Sequence, residues 1–315
     1  MVIYMLDTSL QTNQTSNVVF HQLSKLYDEK FVVNCLTTAI PKGCFCLLGP
    51  NGAGKTTTML MLFGIVKPSS GTALVMGYDI LKDSLKARQK VGFLPENVGF
   101  YPGLSGLETL ELMHGFKGRK GENPEALLSW VGLEENSWRK KVRKDSQGMK
   151  QRRGIAQAFV GDPELVILDE PLSSLDPLGR SDMMKKISEK VRKGTSVILS
   201  SHVTLEVEKM ADHIGIINNG QMMIIGSLNE VAKQHGFLDF EIDTSTANIT
   251  DVFDTIRAAE LPLIETPHIV GEKICVKTKN PEEIEKYLLT LSIPAKLHPM
   301  SGALGDVYIK EVGGF

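Results

Sequence analysis

The sequence predicts an α/β fold, on three observations: short apolar runs alternate with helical ones, a glycine-rich loop links one such run to the next helix, and a second apolar run ends in two adjacent carboxylates. Residues 18–23, 43–48, 165–168, 196–200 and 214–217 read as strands. Residues 44–48 and 165–168 are apolar throughout, as parallel strands covered on both faces are, and are expected at the sheet centre. Between about residues 100 and 160 the β signals fade, and helix starts at residues 105–108 and at Asn123-Pro124-Glu125 point to a helical insertion. Asn219-Gly220 between apolar runs predicts a hairpin, and residues 227–230 offer a fresh helix cap.

Three regions follow. Residues 1–17 read as a polar, mobile tail, and residues 18–230 as the main domain. Residues 236–315 read as a small α+β domain with strand 237–242, helix 249–261, strand 273–277, helix 281–291 capped by Asn280, and strand 306–309.

The 315-residue chain is 42% hydrophobic and 23% charged, enough for one full core and a second, smaller one. A formal net charge of -2 gives no basic footprint of the kind a phosphate backbone needs, so no nucleic-acid partner is expected. The run Arg139-Lys140-Lys141-Val142-Arg143-Lys144 reads as a solvated helix flank in the helical insertion. No apolar run approaches the roughly 18 to 20 residues needed to span a bilayer, and the first residues lack the basic flank and apolar core of a signal peptide. A cytoplasmic protein is expected. Cys35, Cys44, Cys46 and Cys275 lack the paired spacing of a metal site and read as reduced core thiols.

Gly49-Pro50-Asn51-Gly52-Ala53-Gly54-Lys55-Thr56 fits GxxxxGK[ST] between an apolar strand and a helical run. Alone it also fits a glycine-rich turn with a surface lysine; its strand and helix context favours a phosphate loop. Glycines let successive N–H groups aim at phosphate oxygens, and the helix N-terminus adds partial positive charge. Lys55 would reach the β and γ phosphates, Thr56 would bind Mg²⁺, and Thr57 would touch the α phosphate. The loop by itself leaves kinases, GTPases and motor ATPases open.

Asp169 and Glu170 stand at the carboxyl end of the second apolar strand, where ligands of open α/β sheets bind. Asp169 would hold Mg²⁺ directly or through water. Glu170 would take a proton from the attacking water, a role worth about 10²- to 10⁴-fold in rate. Upstream, Ser146 is a candidate N-cap for the helical run that follows it, whose N-terminus offers a second anion site.

This segment, Ser146-Gln147-Gly148-Met149-Lys150-Gln151-Arg152, resembles the signature segment of ABC transporter ATPases, and residues 146–177 as a whole are similar to that family. Ser173-Ser174-Leu175-Asp176 resembles its D-loop, and Ser200-Ser201-His202 the strand end that carries its switch histidine. Tyr27 stands where the family places the aromatic that stacks on adenine. The resemblance covers about residues 18–230 and implies a P-loop NTPase core of the ABC ATPase type. It implies ATP and Mg²⁺ as ligands, and a nucleotide held between the phosphate loop of one cassette and Ser146, Gly148 and Asp176 of another. The partners it implies are a second copy or a related cassette, and a separate polytopic membrane subunit that would hold the protein on the inner face of the cell membrane.

Two departures stand out. Glu96 replaces the family's usual glutamine, keeping a magnesium ligand but no N–H donor. Gln147 and Met149 replace the first glycine and last glutamine of the signature, which implies competent but slower hydrolysis. The extension ending in Leu304-Gly305-Asp306-Val307-Tyr308 resembles those of export cassettes. A soluble ABC ATPase acting on DNA or ribosomes is the second reading, although neither a second cassette nor a long coiled coil is present. A small-molecule kinase would have no use for residues 146–176 or His202.

Overall fold

The chain enters the structure on a long hairpin. In the computed structural model, which describes residues 16–244, 248–291, 295–300 and 303–313, β1 (Ser16–Tyr27) pairs antiparallel with β2 (Lys30–Pro41). The strands are joined by Asp28 and Glu29, whose φ angles of 43° and 66° make a left-handed two-residue turn that matches strand twist. Most of the expected tail, residues 1–15, lies outside the described residues; Ser16 and Asn17 already belong to β1, and Asn17 is buried.

β3 (Cys44–Leu48) is buried at every position, and α1 (Lys55–Leu62) follows it across the glycine-rich loop. β4 (Ser70–Val75) and β5 (Tyr78–Asp79) complete an antiparallel sheet of order β2-β1-β4-β5. α2 (Ser84–Lys90) leads into β6 (Val91–Leu94). The helical stretch comprises α3 (Gly106–Phe116), α4 (Pro124–Trp130), α5 (Glu135–Trp138) and α6 (Gln147–Ala158). β7 (Leu165–Leu168), α7 (Pro177–Arg192) and β8 (Ser196–Ser201) finish the pattern.

β6, β7 and β8 form a parallel ladder in which Leu94 stands beside Leu168 and Leu168 beside Leu199, and the strand order on this side is β3-β8-β7-β6. β3, β7 and β8 are buried along their whole length; of the two strands expected at the centre, β3 lies inside the sheet, whereas β7 stands between β8 and the edge strand β6.

Helix starts follow the local chemistry. Ser105 and Glu108 form a capping box, with Glu108 N donating to Ser105 Oγ at 3.2 Å and Ser105 N to Glu108 Oε2 at 2.6 Å. The Ser105 N–H holds the Glu108 carboxyl down to about 2, so the box is intact above the ordinary value of 4.5 and is lost as pH falls toward 2. Asn123 Oδ1 accepts from Ala126 N at 2.7 Å. The basic run 139–144 is exposed except for Val142, as expected of a solvated helix flank: Arg139 ends α5, and Val142–Lys144 form a 3₁₀ turn ahead of α6.

The chain divides into two compact units, the first gathering the described residues up to Phe45 with Gly52–Ser200 and the turn Asn219–Gln221, the second holding Cys46–Asn51, Ser201–Asn218 and the described residues from Met222 onward. In the second unit α8 (Thr204–Met210) leads into β9 (His213–Asn218), which neighbours β10 (Gln221–Ser227). The capping box of Ser227 and Glu230 starts α9 (Leu228–Gln234).

Then come β11 (Asp239–Asp243), α10 (Ile249–Ala258), β12 (His268–Val270), β13 (Lys273–Lys277), α11 (Pro281–Thr290), β14 (Lys296–Pro299) and α12 (Ala303–Val312). The strands form an antiparallel sheet of order β12-β13-β11-β14, the split β-α-β arrangement. Phe240, Ile242, Ile274, Val276 and Leu297 meet Val252, Ile256, Ile284 and Leu288 in its core.

Three expectations are corrected here. Residues 306–309 are not a strand: they lie within α12, where Leu304 and Val307 are buried at helical spacing while Asp306 and Ile309 face solvent, and the fourth strand is β14 instead. Asn280 is the N-cap residue of α11, but its side chain accepts no backbone N–H: its carbonyl accepts from Glu283 N at 3.2 Å, its Nδ2 donates to Glu283 Oε1 at 3.4 Å, and Pro281 stands at the first helical position. Cys35 is exposed at an irregular point of β2 with φ 54°, not in the core, whereas Cys44, Cys46 and Cys275 are buried as expected.

Replacing Ser105 by alanine removes the cap of α3 and is expected to lower stability by about 1 kcal/mol, read from the urea midpoint at pH 7.

Candidate functional site

The glycine-rich loop is built from backbone geometry that only glycine adopts easily. Gly52 has φ 81° and Gly54 φ 106°, and Gly54 is the residue from which α1 starts. A Cβ on Gly54 would stand 2.5 Å from the carbonyl oxygen of Val32 in β2, and one on Gly220 would stand 2.6 Å from the same atom. Gly220 N donates to Ala53 O at 3.0 Å, and Asn34 N to Gly220 O at 2.8 Å. The Asn219-Gly220 turn therefore props the loop from outside. Lys55 is only 6% exposed at the first position of α1, Thr56 and Thr57 are half-buried, and Gly49, Pro50 and Asn51 form the exit of β3.

At the end of β7, one hydroxyl organises both carboxylate residues. Ser200 Oγ donates to Asp169 Oδ1 at 2.6 Å and accepts from Glu170 N at 2.8 Å. Asp169 is fully buried, and its second oxygen, Oδ2, has no hydrogen-bond partner among the described residues. A buried, unpaired carboxylate oxygen suits a cation ligand. Among the described residues no cluster of three or more His, Cys, Asp or Glu gathers there. A cation would therefore draw its other ligands from hydroxyl, water and phosphate oxygens, the set that magnesium prefers.

Glu170 holds a left-handed φ of 48°, an uncommon conformation for a side-chain-bearing residue. Its carbonyl accepts from Gln151 Nε2 at 3.2 Å and from Ser173 N and Oγ at 3.3 and 3.0 Å. Gln151 also donates to Pro171 O at 2.9 Å. α6 thus clamps the turn that carries Glu170.

The start of α6 is fixed in turn. Ser146, exposed, caps the helix by accepting from Met149 N at 3.2 Å, and a Cβ on Gly148 would lie 3.3 Å from Ser174 O. Beside Ser146, Asp145 receives Arg153 Nε at 2.5 Å and Nη2 at 3.3 Å, and Nη2 also donates to Ser137 O at 2.8 Å. Both side chains are buried, at 1% and 0% exposure. Gly106 leaves the space that the guanidinium fills, since a Cβ there would sit 1.3 Å from Nη1.

Of the remaining sequence candidates, Tyr27 is half exposed at the tip of the first hairpin with Lys25 Nζ 4.7 Å from its ring centre. Glu96 is exposed two residues beyond Leu94, whose carbonyl accepts from Asp169 N at 2.9 Å. Asp176 starts α7 through its backbone, accepting from Arg180 N at 2.8 Å. His202 is exposed between β8 and α8. Sequence reasoning missed Gln151, Ser200, Arg153 and Val32 as supporting residues. For Arg153 a signal existed, because an arginine on the inward face of a helix demands a buried acid.

Comparison with known proteins gives the class first. A solved ATP-binding subunit of an ABC transporter superposes with a TM-score of 0.64 and 27% identity, over 76% of this chain and 99% of that one, so the fold is that of the P-loop ABC ATPases. The family model described as ABC transporter matches residues 35–173. The linearmycin resistance ATP-binding protein LnrL of Bacillus subtilis is 35% identical over 85% of this chain and 87% of its own length. The bacitracin transport ATP-binding protein BcrA of Enterococcus faecalis is 38% identical over 79% and 84%. The chain belongs to the ABC transporter ATP-binding proteins, and is an ATP-hydrolysing transporter subunit. No helix among the described residues is long and apolar enough to cross a membrane.

Arg153→Ala strands a buried carboxylate and is expected to cost about 3 to 5 kcal/mol, whereas the double change Asp145→Leu with Arg153→Leu recovers most of that loss. Urea unfolding of Asp145→Leu, Arg153→Leu and the double variant reads the coupling, and losses that simply add would show that the pair does not act as a unit.

Proposed function

We propose that this subunit drives export, by closing as a dimer of cassettes around two ATP molecules on a separate polytopic membrane subunit at the inner face of the cell membrane. The observation that carries the reading is the Ser200–Asp169–Glu170 arrangement clamped by Gln151, because it links the carboxylates to the helix that begins at Ser146. Export is supported by the relatives named for linearmycin resistance and bacitracin transport.

In this reading Tyr27 stacks on adenine. The loop N–H groups of Gly49, Asn51, Gly52, Ala53 and Gly54 wrap the phosphates while Pro50, which has no N–H, shapes the loop; Lys55 neutralises the β and γ phosphates, and Thr57 meets the α phosphate. Thr56, Asp169 and Glu96 would hold Mg²⁺, which supplies charge neutralisation on the β and γ oxygens. Glu170 accepts a proton from the attacking water, its carboxylate aimed by the left-handed backbone that Ser200, Gln151 and Ser173 fix. His202 donates to the γ phosphate. The partner's Ser146 and Gly148 meet the same phosphate at a helix N-terminus, and the partner's Asp176 lies at the shared boundary. One cassette lacks the other half of each site, so ATP joins the two and hydrolysis releases them.

The Gln147 and Met149 replacements leave Ser146 Oγ and the Gly148 N–H in place, which supports turnover at a reduced rate. Glu96 accepts but cannot donate a hydrogen bond, so its service is to the cation and the attacking water.

Glu170→Gln is expected to bind ATP normally, to lose at least about 10²-fold in phosphate release, and to accumulate as an ATP-bound dimer on size-exclusion chromatography; hydrolysis at the parent rate would remove Glu170 from the role of base. Ser146→Arg places bulk and positive charge at the helix start and is expected to abolish the ATP-dependent shift to dimer. A normal shift would sink the two-cassette arrangement.

A further inference from the structure

The segment Leu304-Gly305-Asp306-Val307-Tyr308 takes no part in nucleotide chemistry, yet it forms the first half of α12, and α12 packs on α8, α9 and β9. α8 begins at Thr204, two residues beyond His202. One hydrogen bond to α8, a close approach to its first turn and an ion pair just beyond its end join the carboxy-terminal elements to this region. Leu304 N donates to Glu208 Oε1 at 2.7 Å, so a buried carboxylate of α8 caps the amino end of α12. Gly305 lies against the first turn of α8, where a Cβ would stand 3.7 Å from Thr204 Oγ1. At the other end of α8, Lys296 Nζ of β14 meets Asp212 Oδ1 at 2.9 Å.

The seam is sealed on one side only. Leu304 and Val307 are buried, while Ile309 on the opposite face is 66% exposed. A helix of 7 residues has little stability of its own, so the place of α8 is set by what packs on it. What packs on it here is a segment about a hundred residues later in the chain.

We propose that α12 is a positioning element for His202: by packing on α8 and gripping it at Glu208, with β14 holding Asp212 just beyond, it fixes the backbone from which His202 reaches the γ phosphate. This rests on the reading of His202 given above. ATP is held chiefly by the phosphate loop, so loosening α8 leaves binding alone and misplaces one group needed in the chemical step. A purely structural α12 would instead change stability without separating kcat from KM.

The test is steady-state phosphate release by the full-length protein with Mg²⁺ and ATP, alongside urea unfolding. Glu208→Ala is expected to lower kcat by about fivefold or more, with KM for ATP unchanged within about twofold. Glu208→Gln, whose amide oxygen still accepts from Leu304 N, is expected to restore most of the rate. A chain shortened after Met300 is expected to show the same low kcat, and Glu208→Ala in that background to add nothing further, since both remove one contact. Should the shortened chain fail to fold, the Glu208→Ala and Glu208→Gln pair decides alone.

His202→Ala sets the scale. If it retains the parent kcat, the role given to His202 is wrong and the proposal falls with it. If it collapses turnover while Glu208→Ala keeps the parent kcat, or raises only KM, the site reading stands and α12 is mere packing.

Discussion

A single hydroxyl carries the geometry on which the rest of the candidate site depends. Ser200 donates to Asp169 and accepts from the backbone of Glu170, so the first two residues beyond β7 are held by one atom of the neighbouring strand. Without that bond the left-handed conformation of Glu170 would relax toward an ordinary one, at a gain of about 1 to 3 kcal/mol locally, and the carboxylate would turn away. Gln151 and Ser173 then close the other side of the same turn through its carbonyl. The strain is held by three elements, β8, α6 and the loop before α7, so a shift in any of them is felt at the carboxylate.

Much of this was legible in the sequence because it rests on short-range rules. The parallel core strands were visible as unbroken apolar runs, the helix starts as serine or asparagine caps, and the phosphate loop as a glycine spacing that no ordinary turn needs. What stayed hidden depends on distance. β2 went unseen because its turn, Asp28-Glu29, adopts left-handed angles without the asparagine or glycine that normally announce them. The support from Val32 and Gly220 to the loop joins residues far apart in the chain. Residues 306–309 alternate as a strand would over four positions, and only the ten-residue span of α12, with Leu304 and Val307 turned inward, reveals the helical period.

The carboxy-terminal sheet makes the same point from another side. Its β11 alternates, burying Phe240 and Ile242, and its β13 is a short apolar run, Ile274-Cys275-Val276, between two lysines; both were readable. Its edge strands were not. β12 has only three residues, all exposed, and β14 ends in Pro299, which an edge position tolerates. Short, polar or proline-bearing edges are how sheets avoid pairing with other chains, and the features that protect them also hide them from pattern reading.

The buried pair of Asp145 and Arg153 has a consequence for anyone recombining this protein with its relatives. Acid, base and the bare Cα of Gly106 occupy three separate stretches of chain, yet each makes sense only with the other two. A crossover that falls between residues 106 and 145, or between 145 and 153, would import an orphaned charge or a side chain where the guanidinium must lie. These three positions are inherited as one unit, and the viable breakpoints of a chimaera lie outside them.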